Sequence, residues 1–310
     1  MKPIIQPVDR EILKSELTEE RFLRNTNNSG NVIYVVNAHN SPQVMQEIGR
    51  LREVTFREAG GGTGEPVDID TEDLAENGYQ QLIVWDPQEE EITGGYRFIV
   101  SKTSHPEHLS TEHYFRFTDK FRREFLPYTL ELGRSFIQPH YQGTKNTPKG
   151  LYSLDNLWDG LGAIVAKDPD IHYFFGKVTM YGHYDVEARN MLLYFLKKYF
   201  PDPDHLVEPL FPIDLHIDTT KMERIFNGGN YQEDYKILSR TIRDTGEQIP
   251  PLINSYMNLS PTMRVFDTVM NPDFGGVEET GILIARNDIY LKKVERHFAG
   301  QESDEHLGLV

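Results

Sequence analysis

A β-branched run, Asn31-Val32-Ile33-Tyr34-Val35-Val36-Asn37-Ala38, leads directly into Ser41-Pro42 and a long helical repeat, and this strand-then-helix opening limits the fold more than any other feature. The run reads as a strand. Ser41-Pro42 offers an N-cap and a first-turn proline, and Val44, Met45, Ile48, Leu51, Val54 and Thr55 recur at helical spacing to about Ala59. Two strands, 79–85 and 91–100, follow around the Asp86-Pro87 turn, then a strand over 128–138 that Pro139 ends. Ser153 can cap a helix whose Leu154, Leu157, Trp158, Leu161, Ile164 and Val165 form one apolar face. A strand over 170–180 and a helix over 186–200, stopped by Pro201, complete the order β-α-β-β-β-α-β-α.

Upstream, residues 9–24 read as a charged helix. Downstream, the proline- and charge-rich stretch 201–250 carries one helix near 230–245. The tail offers strands near 263–270 and 278–284 and a helix from about Asp288. The expected class is α/β (α+β), a mixed sheet flanked by helices. Its parts are an N-terminal helical extension (1–30), a core (31–200), a helical insertion (201–250) and a C-terminal extension (251–310) that completes the same domain.

Charge and composition narrow the function. The 310 residues carry 32 basic against 48 acidic side chains, a net −16, which argues against a nucleic-acid partner. With no cysteine, disulfide scaffolds, thiolate metal sites and cysteine nucleophiles are excluded. The charged first twenty residues lack the apolar core of a signal peptide, and no apolar stretch approaches the twenty residues of a membrane span, so a cytoplasmic protein is expected.

Several motifs have plain readings. Gly60-Gly61-Gly62-Thr63-Gly64 follows a helix and lacks the Lys-Ser/Thr of a phosphate loop, so a mobile loop that covers substrate is expected. His105 with His108, and His216 between two acids, lack the spacing of a metal site and read as surface residues. Leu130-Glu131-Leu132-Gly133-Arg134-Ser135-Phe136 is different, because it sets two charges inside an apolar strand, where unpaired charge is costly. On a regular strand Glu131 and Arg134 point to opposite faces. A bulge at Gly133 would bring them to one side; an exposed edge strand with a solvated ion pair is the other reading. Arg52 and Phe56 share a helix face, Asp68, Asp70 and Asp73 cluster after the glycine loop, and Arg97 lies in the third strand. Together these are the makings of one ionic cluster.

Five ordered segments carry a resemblance: Leu51–Arg57 with Gly62-Thr63-Gly64; Asp68-Ile69-Asp70 with Asp73; Gly95-Tyr96-Arg97; Leu130–Gln138; and Leu157-Trp158-Asp159-Gly160-Leu161-Gly162-Ala163. The chain resembles the bacterial acyl-carrier-protein-dependent N-acyltransferases of the GNAT superfamily, the ornithine-lipid and glycine-lipid synthases often labelled haemolysins. It is more distantly similar to acyl-homoserine-lactone synthases. The resemblance implies transfer of a (3-hydroxy)fatty acyl group from acyl carrier protein to an amino acid, an early step of aminolipid synthesis. It implies no tightly bound cofactor beyond the acyl-phosphopantetheine donor (or acyl-coenzyme A). A peripheral contact with the inner face of the membrane is a further expectation. Gln142-Gly143-Thr144-Lys145 departs from the glycine-rich pyrophosphate loop of coenzyme A-dependent relatives, which favours the carrier protein as donor.

On this reading Glu131 takes the amine's proton directly or through water, with Arg134 beside it. Arg52, Arg97 and Arg134 pair with Asp68, Asp70 and Asp73 and close the glycine loop over the acyl chain. Phe56 and Trp158 line the acyl tunnel, core packing being the other role for Trp158. Tyr181, His183 and Tyr184 are candidates to protonate the leaving thiolate. Lys145 and Lys149, with Lys167, Arg122, Arg123, Lys197 and Lys198, are candidates for docking the acidic carrier. The alternatives are an acetyl-coenzyme A-dependent acetyltransferase of a small amine, a membrane-active lysin, and a non-catalytic binding module.

Overall fold

A computed structural model of the chain describes residues 1–102, 109–142 and 152–298. Its elements are, in order, α1 (Arg10–Glu16), β1 (Phe22–Asn25), β2 (Val32–Val36), α2 (Pro42–Glu58), α3 (Thr71–Leu74), β3 (Gln80–Asp86) and β4 (Glu91–Val100). Then come β5 (Phe115–Phe117), α4 (Asp119–Glu124), β6 (Thr129–Ile137), α5 (Ser153–Lys167), β7 (Tyr173–Met180), α6 (Val186–Tyr199), β8 (Val207–Pro209) and α7 (Thr219–Ile225). The chain continues through α8 (Tyr231–Asp244), α9 (Pro251–Met257), β9 (Arg264–Asn271), β10 (Val277–Ala285) and α10 (Leu291–His297).

The expected strand and helix order from 31 to 200 is there, and the fold is a GNAT-like mixed sheet with helices on both faces. Eight strands form the sheet in the order β1-β2-β3-β4-β6-β7-β10-β9, all antiparallel except β6 with β7. Between the sheet and α5, α6, α8 and α9 lies the larger core, with Leu157, Trp158 and Leu161 of α5 set against Leu82, Phe98, Leu132 and Phe174. On the other face α1 and α2 pack Leu13, Val44, Ile48 and Leu51 onto Ile83, Trp85 and Phe136. Beside them α4, β5 and β8 build an aromatic cluster around Phe121 and Phe175.

Several local expectations change. The 9–24 helix stops at Glu16, and residues 22–25 instead pair with β2 as an edge strand, because ladder bonds to an existing sheet outweigh the helix propensity of an exposed segment. Ser41 makes no side-chain cap; the Glu16 carboxylate reaches across from α1 and accepts the first free N–H groups of α2, from Gln43 at 2.9 Å and Val44 at 2.8 Å. That satisfies the orphan donors and complements the helix dipole. Ser153 is the first residue of α5, not its cap. The 201–250 stretch adds β8, α7 and α8, and Met222, Phe226, Leu238 and Ile242 sink into the main core beneath α6.

Two features of β6 set up the site. Opposite β4, Gly95 pairs with Phe136 but Arg97 pairs with Gly133, so β6 carries one extra residue there. Arg134 sits in the left-handed region at φ 47° to make this bulge. Opposite β7, pairing runs only from Thr129–Tyr173 to Leu132–Gly176 and then stops. Gly176 permits the last of those contacts, since a Cβ there would lie 2.5 Å from the Leu132 carbonyl oxygen. Beyond it the two parallel strands part.

Candidate active site

The bulge reverses the facing of β6. Before it, Glu131 and Gly133 lie on the α2 side and Leu130 and Leu132 in the opposite core; after it, Arg134 and Phe136 lie on the α2 side. Glu131 and Arg134 thus share a face, as a bulge at Gly133 required. Arg97, directly opposite Gly133, lies across the space where a Cβ would stand.

The three arginines, from α2, β4 and β6, meet three aspartates from one short segment. Arg52, fully buried, donates to Asp73 Oδ2 at 2.9 Å, to the Asp68 carbonyl at 3.2 Å and to Gln81 Oε1 at 2.5 Å. Arg97 donates to Asp70 at 2.5 Å, lies 3.5 Å from Asp73 and places its guanidinium 4.5 Å from the centre of the Tyr79 ring. Arg134 brings Nε to 2.7 Å from Asp68 Oδ2, an ion contact without hydrogen-bond alignment, and lies 4.5 Å over Phe274. The Asp70-x-x-Asp73 spacing also closes a capping box on α3, which fixes both carboxylates. Burial works against the Asp70 carboxylate, but Arg97 and Arg134 outweigh it and hold its pKa below the usual range.

Glu131 is enclosed more completely than the sequence implied. Its carboxylate accepts from Tyr79 Oη at 2.7 Å, Ser110 Oγ at 2.9 Å, Thr111 Oγ1 at 2.9 Å and Thr111 N at 3.3 Å. Burial pushes its pKa up, while these donors and Arg97 pull against the rise.

Where β6 and β7 part, a cavity of about 460 Å³ opens. Phe56, Phe136, Ile137, Val178, Leu252, Ile253 and Phe274 make it largely apolar; Arg97, Ser110, Arg134, Lys177, Tyr181 and Glu279 supply its polar wall. A narrower pocket of about 40 Å³, between Leu132, Phe174, Tyr96 and Tyr256, continues from the same parting point toward the α5 side. Among the described residues no helix is long and apolar enough to cross a membrane, and no group of three His, Asp or Glu is placed to hold a metal.

The predicted residues therefore divide. Phe56, Arg97 and Arg134 line the cavity; Arg52, Asp68, Asp70 and Asp73 stand behind them and hold them. Glu131 does not reach the cavity: Ser110, which does line it, lies between. Of the two expected routes for the amine's proton, direct or through water, the direct one lacks a contact, since Glu131 does not line the cavity and the Ser110 hydroxyl that donates to it does. Trp158 packs edge-on to Phe174 and Tyr256 in the α5 core and does not line the cavity, because its helix face turns to the sheet. The glycine loop lines no part of it either. Glu53 and Arg57 tie that loop down, the Thr63 N–H donating to Glu53 at 2.6 Å, and the Lys2 N–H donates to the Gly64 carbonyl at 2.8 Å. Tyr181 lines the cavity and stacks on His183, while Tyr184 donates to the Gln248 carbonyl. Lys145 and Lys149, like His105 and His108, lie outside the described residues. Arg122 pairs with Glu112, Lys197 with Asp267 and Lys198 with Asp234. His216 is exposed beside Asp214. Sequence reasoning missed Tyr79, Ser110, Thr111, Lys177 and Glu279; of these, Lys177 alone showed the charge-in-an-apolar-strand signal that drew attention to Glu131.

Residues 51–151 match the acetyltransferase (GNAT) domain family. Over 302 residues the chain is 53% identical to the glycine N(alpha)-acyltransferase of Phocaeicola vulgatus, covering 96% of this chain and 93% of that protein. A glycine N(alpha)-acyltransferase of Bacteroides thetaiotaomicron is also 53% identical over 302 residues, with 96% and 90% covered. Among solved structures, the AHL synthase LasI overlaps at a TM-score of 0.35 and 15% identity, over 54% of this chain and 79% of that one, too loosely to bear on function. The chain is an acyltransferase with a GNAT domain and belongs to the family of these N(alpha)-acyltransferases.

Proposed function

We propose that the chain moves a (3-hydroxy)fatty acyl group from the phosphopantetheine thioester of an acyl carrier protein to the amine of a small amino acid of the glycine type, an early step in making an aminolipid. The observation that carries this reading is the parting of β6 and β7 into a cavity that is apolar along one wall and charged along the other. An acyl chain fits the first wall and an amino acid the second. The activity for which the 53%-identical relatives are named supports the acceptor. The carrier protein as donor rests on the departure of Gln142-Gly143-Thr144-Lys145 from the glycine-rich coenzyme A loop.

In the reaction the amine nitrogen bonds to the thioester carbonyl carbon and the carbon–sulfur bond breaks. An ammonium acceptor loses two protons on its way to the amide. One passes through the Ser110 hydroxyl to Glu131, whose raised pKa suits it to accept and later release it. The other leaves with the thiolate as a free thiol. Tyr181, its hydroxyl pushed up to about 12 by burial and by Glu279, keeps its proton at neutral pH and is the donor at hand. A main-chain N–H of β6 beyond the parting point meets the tetrahedral oxyanion.

The test is release of free thiol from 3-hydroxyacyl carrier protein, and from acyl- and acetyl-coenzyme A, against a panel of amino acids. Products are read by mass spectrometry, with Glu131→Gln as control. Amine-dependent release, lost in the variant, supports the reading. Turnover with acetyl-coenzyme A alone makes this an acetyltransferase, and silence with every donor removes the catalytic reading.

A further inference from the structure

Among the described residues three cations line the cavity, and two are already matched. Arg97 and Arg134 each face two aspartates of the cluster, so a ligand carboxylate would have to displace buried partners. Lys177 stands apart. Its ammonium contacts Glu279 of the neighbouring β10 and lies 4.9 Å from the centre of the Tyr114 ring, and no other acceptor reaches it among the described residues. The pair is a consequence of register: Gly281 stands opposite Lys177 and Glu279 opposite Thr179, which makes them diagonal neighbours on one face. Asn271 of β9 donates to Glu279 Oε1 at 2.7 Å, while Oε2 has no aligned hydrogen-bond donor. Their side chains are only 10% and 1% exposed.

A buried ion pair gains little for stability once its desolvation is counted. This one also leaves capacity unused, because an ammonium has three donors and a carboxylate several acceptor positions. We propose that Lys177 and Glu279 form the acceptor's zwitterion site, Lys177 taking the carboxylate and Glu279 the ammonium of a small α-amino acid. The proposal rests on the acyl-transfer reading above and names the groups that select the acceptor. A zwitterion can open the pair without leaving either charge alone, since it brings each partner the opposite sign. A lone carboxylate would strand Glu279, and a lone amine would strand Lys177; both cost what an unpaired buried charge costs. Burial lowers the Lys177 pKa, with Arg134 and Arg97 adding to the fall and Glu279 opposing it, so a ligand carboxylate adds favourable charge where the lysine lacks it. The site thus selects for both charges on one small molecule, and it keeps the amine on the same wall as Ser110.

The full chain is assayed with glycine and with glycinamide, which keeps the amine and lacks the carboxylate, using whichever thioester donor it accepts. The wild type should prefer glycine. Lys177→Met should raise KM for glycine by about tenfold or more, the scale of removing one partner of a buried charge contact, lower KM for glycinamide, which no longer strands the lysine, and leave KM for the donor unchanged. Glu279→Gln should raise KM for both amines. If either single variant does not fold, Lys177→Gln/Glu279→Gln removes both charges together, leaves no orphan, and should abolish the preference. Folded variants that keep the wild-type KM for glycine and its preference over glycinamide overturn this site while acyl transfer stands. A wild type that releases no thiol with any amine and donor overturns the acyl-transfer reading and this site with it.

Discussion

The arginine–aspartate cluster and the Lys177–Glu279 pair are both ionic, both buried and on the same face of one sheet, yet they are completed to different degrees. In the first, three cations meet three anions, a capping box fixes two of the aspartates, and Gln81 takes up a remaining donor of Arg52, although both Asp68 oxygens and the three Nε atoms lack an aligned hydrogen bond. Glu131, beside it, is fully satisfied, with four donors on its two oxygens. In the second, among the described residues, Asn271 donates to one oxygen of the Glu279 carboxylate and the other has the lysine as its ion contact. The first arrangement reaches the cavity wall through Arg97 and Arg134 and keeps its aspartates behind it; the second has both its charges on the wall. Charges that face several opposite charges hold a shape; a single pair beside a cavity can be opened by a ligand that brings both signs.

The comparison can be broken from either side. Arg52→Met takes from Asp73 the nearer of its two guanidinium partners and leaves the Gln81 Oε1 acceptor without its donor in the interior, and should cost about 3–5 kcal/mol in urea unfolding. A loss below about 1 kcal/mol, the range of exposed pairs, would show that the cluster is not a completed structural unit. Next in size, Glu131→Gln should lower kcat about 100-fold or more, the scale of losing one proton acceptor, with KM for glycine unchanged. Glu279→Gln is expected to show the reverse, a change mainly in KM. Equal splits in the two variants would erase the distinction between them. The smallest effect is on acid stability. The Asp70 pKa is held below its ordinary 3.8, so it is deprotonated more readily in the folded than in the unfolded chain. Its contribution is therefore complete above pH 3.8 and is lost as pH falls through the depressed folded value. Arg97→Met should flatten that acid limb in a pH series of unfolding midpoints; an unchanged limb would place the acid sensitivity elsewhere.

Much of the site was legible because the relevant signals are local. A charge in an apolar strand has to be explained, which drew attention to Glu131 and Arg134, and Gly133 between them offered a bulge as one of two readings, the one that the structure has. The Asp70-x-x-Asp73 spacing is a capping signal as well as an acidic cluster. What escaped was whatever depended on contacts distant in sequence. Ser110 and Thr111 come to Glu131 from a turn about twenty residues earlier, and nothing in their own neighbourhood marks them. Trp158 satisfies the periodicity of a helix face equally well whether that face meets a tunnel or a core. The edge strand β1 was read as helix because its charge pattern fits an exposed helix until a sheet edge is there to pair with.

Local patterns in the chain were enough for the main strands and helices between 31 and 200 and for which charges had to be paired, because side-chain period and the cost of buried charge act over a few residues. Only the tertiary structure decided which of those charges face a cavity. That depends on where β7 leaves β6, and on the register that brings Glu279, about a hundred residues away in the chain, against Lys177.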